Sequence, residues 1–107
     1  MLTDDQIQAA LDYLRDSAPK AAIARSQAKT LDKYLGIIEA TQKSLWPEMS
    51  NAAKQDEARK SPEYKTALQG LEEAIRQDSE FTMLREAALA RIEAWRTWSS
   101  NERASRV

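Results

Sequence analysis

Two tryptophans near the end of the sequence stand one helical turn apart, with arginines on either side. Trp95 and Trp98 lie in the segment EAWRTWSSNERASR, and Arg91 and Arg96 flank them. Aromatic rings stack on exposed bases and arginines pair with phosphates, so this combination is what a surface for single-stranded nucleic acid requires. The other interpretation is structural, because Trp95 also continues the apolar face of a helix and would pack beneath a neighbouring one.

The composition of the sequence excludes most catalytic and metal-binding functions. The 107 residues include no cysteine and no histidine, which excludes disulfides, a thiolate nucleophile, the commonest general base and most transition-metal sites. Acidic groups such as Asp12 with Asp16, or Glu72 and Glu73 with Asp78, lack the histidines that accompany di-metal sites in helical proteins, so we interpret them as solvated helix faces. The sequence therefore predicts a protein that is not an enzyme and has no metal, no cofactor and no small-molecule substrate.

The hydropathy and charge of the sequence indicate where in the cell the protein is found. No run of 18 apolar residues occurs, and the opening MLTDDQIQAA carries acids rather than a basic segment, so we expect a cytoplasmic protein with no membrane partner. The net charge is -1, but it is unevenly spread. Residues 18–34 and 91–107 lean basic, whereas residues 61–90 lean acidic.

The elements that position these residues are predicted to be helices throughout. Only two glycines and three prolines occur, and 31% of the residues are charged, which is typical of an all-α protein. Thr3 with the acids Asp4 and Asp5 is a favourable helix start, so we expect a short first helix over 4–16. Because Pro19 disfavours helical geometry at the residue before it, we expect that helix to end there and a second to run over 19–59.

A heptad pattern runs along the second helix. Its steps alternate four and three residues, as in a helix packed lengthwise on another. The pattern keeps its phase on both sides of Pro47, which indicates a kink in a continuous helix rather than a turn. Trp46 would then either fill the widened gap or, beside a carbonyl freed near Lys43, form a docking notch. The heptad positions are Ala24, Ala28, Leu31, Leu35, Ile38, Gln42, Leu45, Met49 and Ala52.

The chain reversal is predicted at RKSPEY, residues 59–64. Ser61 is a preferred cap, and Pro62 suits the first position of a third helix over 62–100. The predicted fold is a single helical domain over 1–107, with a short N-terminal helix and a long antiparallel, coiled-coil-like hairpin kinked at Pro47. The numbers of facing residues should then add to about 122, which brings the basic residues of 18–34 to the same end as Trp95.

Two helices alone make a poor core. Either the tip of the hairpin is dynamic or a second copy covers it, and on this ground we expect a homo-oligomer. The same seam would also suit a different protein as partner.

Five segments, taken in order, resemble a family of small, mostly uncharacterised helical proteins encoded by tailed bacteriophages and prophages. The resemblance implies an accessory role near single-strand annealing, recombination or replication functions, and it supplies no catalytic residues. At Trp46-Pro47 the sequence departs from the family pattern. The segments are SAPKAA at 17–22, Tyr34-Leu35, AKQDEARKSPEY at 53–64, LQGLEEA at 68–74 and IEAWRTWSSNERA at 92–104.

Two functions follow as hypotheses. The first is an accessory or adaptor in phage DNA recombination or replication, which contacts a phage recombination protein or single-stranded DNA. The second is a small phage inhibitor of a host defence or nuclease component, which acts through the acidic stretch at 72–86. The candidate contact residues for the first are Trp95, Arg96, Trp98, Asn101, Arg103, Lys20, Arg25 and Lys29, with Trp46 and Pro47 at the kink.

Overall fold

The computed structural model describes residues 2–106, which form three helices. They are α1 (Asp4–Lys43), α2 (Asn51–Lys60) and α3 (Pro62–Ser105), of 40, 10 and 44 residues. No strand occurs among residues 2–106, so the predicted all-α class is confirmed. Contacts divide these residues into two compact units: a terminal unit of residues 2–22 with 79–106, and a central unit of residues 23–78.

The start of α1 is the one that the sequence predicts. The Thr3 hydroxyl accepts a hydrogen bond from the Gln6 N–H at 3.2 Å, and the Gln6 side chain accepts one from the Thr3 N–H at 2.9 Å. This reciprocal capping box satisfies two backbone donors that a helix start would otherwise leave without partners. Asp4 and Asp5 in the first turn add favourable charge at the positive end of the helix dipole.

The predicted break at Ser17-Ala18 is wrong, because α1 continues through Pro19. A proline inside a helix costs about 3 kcal/mol, since it removes one hydrogen bond and crowds the preceding turn. Packing in the terminal unit offsets this cost. Ile7, Ala10 and Ser17 are all buried on α1, and a break before Pro19 would disrupt that face.

Arg85 of α3 holds the segment just before Pro19. Its Nη1 donates to the Leu14 carbonyl oxygen at 2.8 Å and to the Ser17 hydroxyl at 2.7 Å. Ser17 therefore does not cap a new helix. It instead accepts a charge-assisted hydrogen bond from the neighbouring helix, which is stronger than a neutral one.

The predicted kink at Pro47 is also wrong, because residues 44–50 are a turn between α1 and α2. The last turn of α1 tightens, with the Leu45 N–H bonded to the Gln42 oxygen and the Trp46 N–H bonded to the Lys43 oxygen. The Met49 N–H then bonds to the Trp46 oxygen. Pro47 thus occupies the second position of a four-residue turn, where its fixed φ angle is favourable.

Ser50 completes the reversal by starting α2. Its hydroxyl accepts from the Ala53 N–H at 3.2 Å, and its backbone is extended, as expected of an N-cap. Leu45 and Met49, two of the last positions of the predicted heptad, are exposed. The heptad pattern is confirmed only from Ala24 to Gln42, because the heptad residues in that range are buried or half-buried.

The predicted cap at Ser61 is correct, but the predicted reversal there is not. The Ser61 hydroxyl accepts from the Tyr64 N–H at 3.2 Å, and α3 begins at Pro62. Only Ser61 separates α2 from α3, and both helices face the same stretch of α1. In the central unit Arg59 pairs with Glu39, while a groove is lined by Ile38 and Tyr34 together with the first turns of α3.

Moving the reversal changes the register of facing residues. In the central unit Glu39 meets Arg59 and Arg25 meets Asp78. In the terminal unit Leu14 meets Arg85. The numbers of facing residues therefore add to about 100 in each unit, not to 122. At its far end α3 extends to Ser105 rather than to about 100.

Alanine dominates the buried seam. No large side chain is fully buried in residues 2–106, and Ala58 is the residue with 0% exposure. Small residues let two helix backbones approach closely but bury little apolar area each. The buried apolar residues are Ile7, Ala10, Ala24, Ala58, Ala67, Leu71, Ala74, Ala88 and Ile92.

The two prolines should respond to substitution in opposite directions. Pro19→Ala restores a backbone donor inside α1 and should raise the free energy of unfolding by about 1–3 kcal/mol. Pro47→Ala frees a turn residue in the unfolded chain and should lower it by up to about 1 kcal/mol. Urea unfolding followed by circular dichroism measures both, and stabilisation by Pro47→Ala would contradict the turn.

Arg85 should carry a measurable part of the stability. Arg85→Met keeps a long apolar stem but removes both hydrogen bonds to α1, so we expect a loss of about 1.5–3 kcal/mol. Arg91→Met is the matched control, because Arg91 lies exposed on the same helix. Equal unfolding midpoints for the two variants would show that the Arg85 contacts contribute nothing.

Candidate functional site

The predicted tryptophan pair forms one wall of a concave apolar surface in the terminal unit. Leu2, Ala94, Trp95 and Trp98 line a pocket of about 360 Å³. Trp95 is half-buried, whereas Trp98 keeps 39% of its surface exposed. We call these four residues the tryptophan pocket. Among residues 2–106, every side chain that lines it is apolar or aromatic, which is the usual composition of a binding pocket for another apolar group.

The predicted site omits Ala94 and Leu2, and Leu2 comes from the other end of the sequence. It precedes the Thr3 cap, and the apolar Ile7 stands at the fourth helical position. That spacing is the pattern of a hydrophobic staple, which fixes the angle at which a chain enters a helix. The pattern is readable in the sequence and would have indicated that Leu2 turns toward the protein.

The polar residues around the pocket are exposed. Arg96 lies next to Trp95 in the chain, and its Nη1 is 3.1 Å from the Glu93 Oε1 in an exposed pair one helical turn apart. Such a surface pair contributes little to stability, but it places a carboxylate beside the cation. Asn101 and Arg103 are also exposed on the last turns of α3.

The predicted convergence on Trp95 is wrong for Lys20, and the register of the terminal unit is the reason. Lys20 belongs to the terminal unit but stands 16 residues along α1 from Asp4, which is about 24 Å of helix rise. Arg25 and Lys29 belong to the central unit, where they line a groove with Asp78. The Arg25 Nε lies 3.5 Å from a carboxylate oxygen of Asp78.

Trp46 lies on an apolar turn rather than inside a kink. Leu45, Trp46 and Met49 are 61%, 41% and 39% exposed. Neither predicted role of Trp46 holds, because there is no helix gap to fill and the Lys43 carbonyl already accepts from the Trp46 N–H. The turn is instead a small exposed apolar surface of the central unit.

An ion pair joins α2 to α1 near this turn. The Arg59 Nε lies 3.0 Å from the Glu39 Oε1, and 21% of the Glu39 side chain is exposed. Burial acts to raise the pKa of Glu39, but hydrogen bonds from Arg59 and Gln55 outweigh it, so the pKa lies below 4.5. A charge-assisted hydrogen bond of this kind favours the ionised carboxylate.

A metal-ligand cluster and a membrane-spanning helix are both absent from the described part of the chain. Within residues 2–106 no three acidic side chains come together as metal ligands would. None of the three helices, as far as the structure describes them, is both long and apolar enough to cross a membrane.

The Glu39–Arg59 pair should make the central unit sensitive to acid. Because the folded pKa of Glu39 is lowered, its contribution to stability is present above pH about 4.5 and is lost as the pH falls through the folded pKa. Glu39→Gln should destabilise the protein near pH 7, and the difference from the wild type should shrink as the pH falls through the lowered pKa of Glu39. Thermal midpoints across this range measure it, and Glu48→Gln in the exposed turn is the control. A difference between wild type and Glu39→Gln that does not change with pH would contradict this assignment.

Comparisons with known proteins return no match: no family model, no curated protein and no solved structure is significantly similar to this chain.

Proposed function

We propose that the protein is a non-enzymatic accessory or adaptor in phage DNA recombination or replication, acting in the bacterial cytoplasm and associating with itself. The resemblance to a phage family supplies the setting. The observation that supports a binding role is the tryptophan pocket, because it gathers two aromatic rings, Leu2 and Ala94 in one concave place. Such surfaces provide most of the binding energy in protein interfaces.

The pocket suits a protein partner better than single-stranded DNA. A DNA surface needs several cations that follow the phosphates past the rings. Here Arg96 already pairs with Glu93, and the predicted cations Arg25 and Lys29 belong to the other unit. An apolar side chain of a partner helix or loop therefore fits the pocket more closely than a charged backbone does.

The contacts give the inhibitor hypothesis less support. Its acidic stretch would have to present free carboxylates, yet Glu73 accepts from the Arg76 Nη2 at 2.7 Å. Hydrogen bonds from Arg76 and Gln77 lower the pKa of Glu73 to about 2. Asp78 pairs with Arg25, and Glu80 is also engaged. The acids are thus partly neutralised by their own neighbours.

A binding assay with a phage single-strand annealing protein tests the proposal. The pocket predicts that Trp98→Ala weakens complex formation at least about tenfold, because it removes an aromatic anchor from the interface. Trp46→Ala is the matched control, since Trp46 is equally exposed but lies in the central unit. Isothermal titration calorimetry measures both affinities.

A parallel titration with a single-stranded oligonucleotide at low salt separates protein binding from DNA binding. DNA binding that weakens steeply with salt and falls in Arg96→Ala would replace the protein partner by DNA. An absence of binding to either would overturn the proposed adaptor role.

A further inference from the structure

A second stripe of uncharged residues runs along α1 in the central unit, on a different face from the seam that packs on the other helices. Its positions also alternate steps of four and three residues, but its three large apolar side chains are exposed. Ile23 is 57% exposed, Tyr34 47% and Ile37 61%, and Gln27 and Thr30 between them are exposed as well. We call these five residues the outer stripe.

The outer stripe is complementary to itself about its middle. Ile23 and Ile37 each lie seven residues from Thr30, while Gln27 lies three before it and Tyr34 four after it. If two such helices pair in antiparallel fashion about Thr30, each Ile23 meets an Ile37, and each Gln27 lies beside a Tyr34. A surface that complements itself in this way is what a two-fold symmetric interface requires.

The polar members of the stripe can be satisfied in this pairing. The side-chain amide of Gln27 both donates and accepts hydrogen bonds, and so does the phenol hydroxyl of Tyr34, so the two can bond to each other across the interface. A polar group buried without such a partner would oppose association. The isoleucines at the two ends then supply the apolar contacts, and Thr30 lies at the axis.

We propose that the outer stripe is the surface through which two copies of this chain pair, antiparallel, about a two-fold axis at Thr30. The inference rests on the self-association proposed above and assigns it to a particular face. Failure of this pairing would leave the tryptophan pocket and its partner unaffected, because the pocket belongs to the other unit.

Residues beside the outer stripe, on the side away from the seam, should make the stability of the dimer depend on salt. On that side of α1 the residues next to the stripe are Ser26, Lys33 and Ala40. In the antiparallel arrangement Lys33 of one copy lies opposite Ser26 of the other. The two Lys33 side chains then lie on one edge of the interface, about 10 Å apart and without contact. Repulsion over this distance is largely screened at physiological ionic strength, so we expect salt to strengthen the dimer.

The size of the outer stripe determines how tightly two copies should bind each other. From Ile23 to Ile37 the helix rises about 21 Å and is about 10 Å wide, which gives a contact area of about 200 Å² on each copy, or about 400 Å² for both. This is below the roughly 1,000 Å² of a stable specific interface and is typical of a weak, transient one. We therefore expect a reversible dimer whose population depends on concentration in the micromolar range.

A charge exchange tests the pairing and its direction. In the double variant Ile23→Glu/Ile37→Lys, the antiparallel arrangement brings the new carboxylate at position 23 of one copy to the new ammonium group at position 37 of the other. The variant Ile23→Lys/Ile37→Lys instead brings ammonium groups together. Both variants lose the same isoleucines, so their difference reports the charges alone. We expect the opposite-charge variant to dimerise at least about fivefold more tightly in sedimentation equilibrium.

Each outcome is informative. Equal dimer affinities of the two variants, with a dimeric wild type, would overturn the antiparallel pairing of the outer stripe and leave self-association in another arrangement. A wild-type dimer that weakens as salt is added would contradict the placement of the two Lys33 side chains along one edge. A wild type that is monomeric throughout the micromolar range would overturn self-association as well.

Cross-linking provides an independent measurement, because the chain has no cysteine of its own. Thr30→Cys places one thiol next to the proposed axis, where two copies should form a disulfide under mild oxidation. Asp32→Cys is the control, since Asp32 lines a groove on another face of α1. Cross-linking of Asp32→Cys as fast as Thr30→Cys would count against the proposed face.

Discussion

The close approach of helices through alanine is the constraint on which the structure depends. Within residues 2–106, six of the nine buried apolar residues are alanines, so each contact removes little apolar surface from water. Burying a methyl group contributes only about 0.8 kcal/mol. Apart from Ile7, Leu71 and Ile92, the larger apolar side chains lie at the margins of the seam or outside it, which is why both the tryptophan pocket and the outer stripe are accessible.

The second determinant is where the chain reverses. The turn at 44–50 places Glu39 against Arg59 in the central unit, and the same register places Arg85 against Leu14 and Ser17 in the terminal unit. Within the terminal unit Leu2 lies beside Trp95 and Trp98, so the described lining of the tryptophan pocket is apolar rather than cationic.

Sequence reasoning identifies the local features and misses the distant ones. The caps at Thr3 and Ser61, the all-helical class and the seam from Ala24 to Gln42 are predicted correctly, because each depends on neighbouring residues.

The sequence prediction assigns Pro19 and Pro47 each other's role: it places Pro19 at a break and Pro47 inside a helix. A serine lies near each proline, but Ser50 follows Pro47 and caps α2, whereas Ser17 precedes Pro19 and bonds to Arg85. The signal for Pro47 was present in the sequence, since proline followed three positions later by Ser50-Asn51 is the pattern of a turn that leads into a capped helix. For Pro19, only the contact with Arg85, 66 residues further along the chain, distinguishes a tolerated proline from a helix break, and no local pattern contains it.

Because the chain divides into two units, the proposals for the outer stripe and for the tryptophan pocket can be tested independently of each other. The outer stripe lies entirely within residues 23–78, and the tryptophan pocket lies entirely outside them. The two surfaces share no residue, so neither has to be given up for the other to be occupied. Because the large apolar residues of the stripe are about half exposed or more, charges placed there alter little of the alanine seam. A loss of pairing in such variants can therefore be attributed to the surface itself rather than to unfolding.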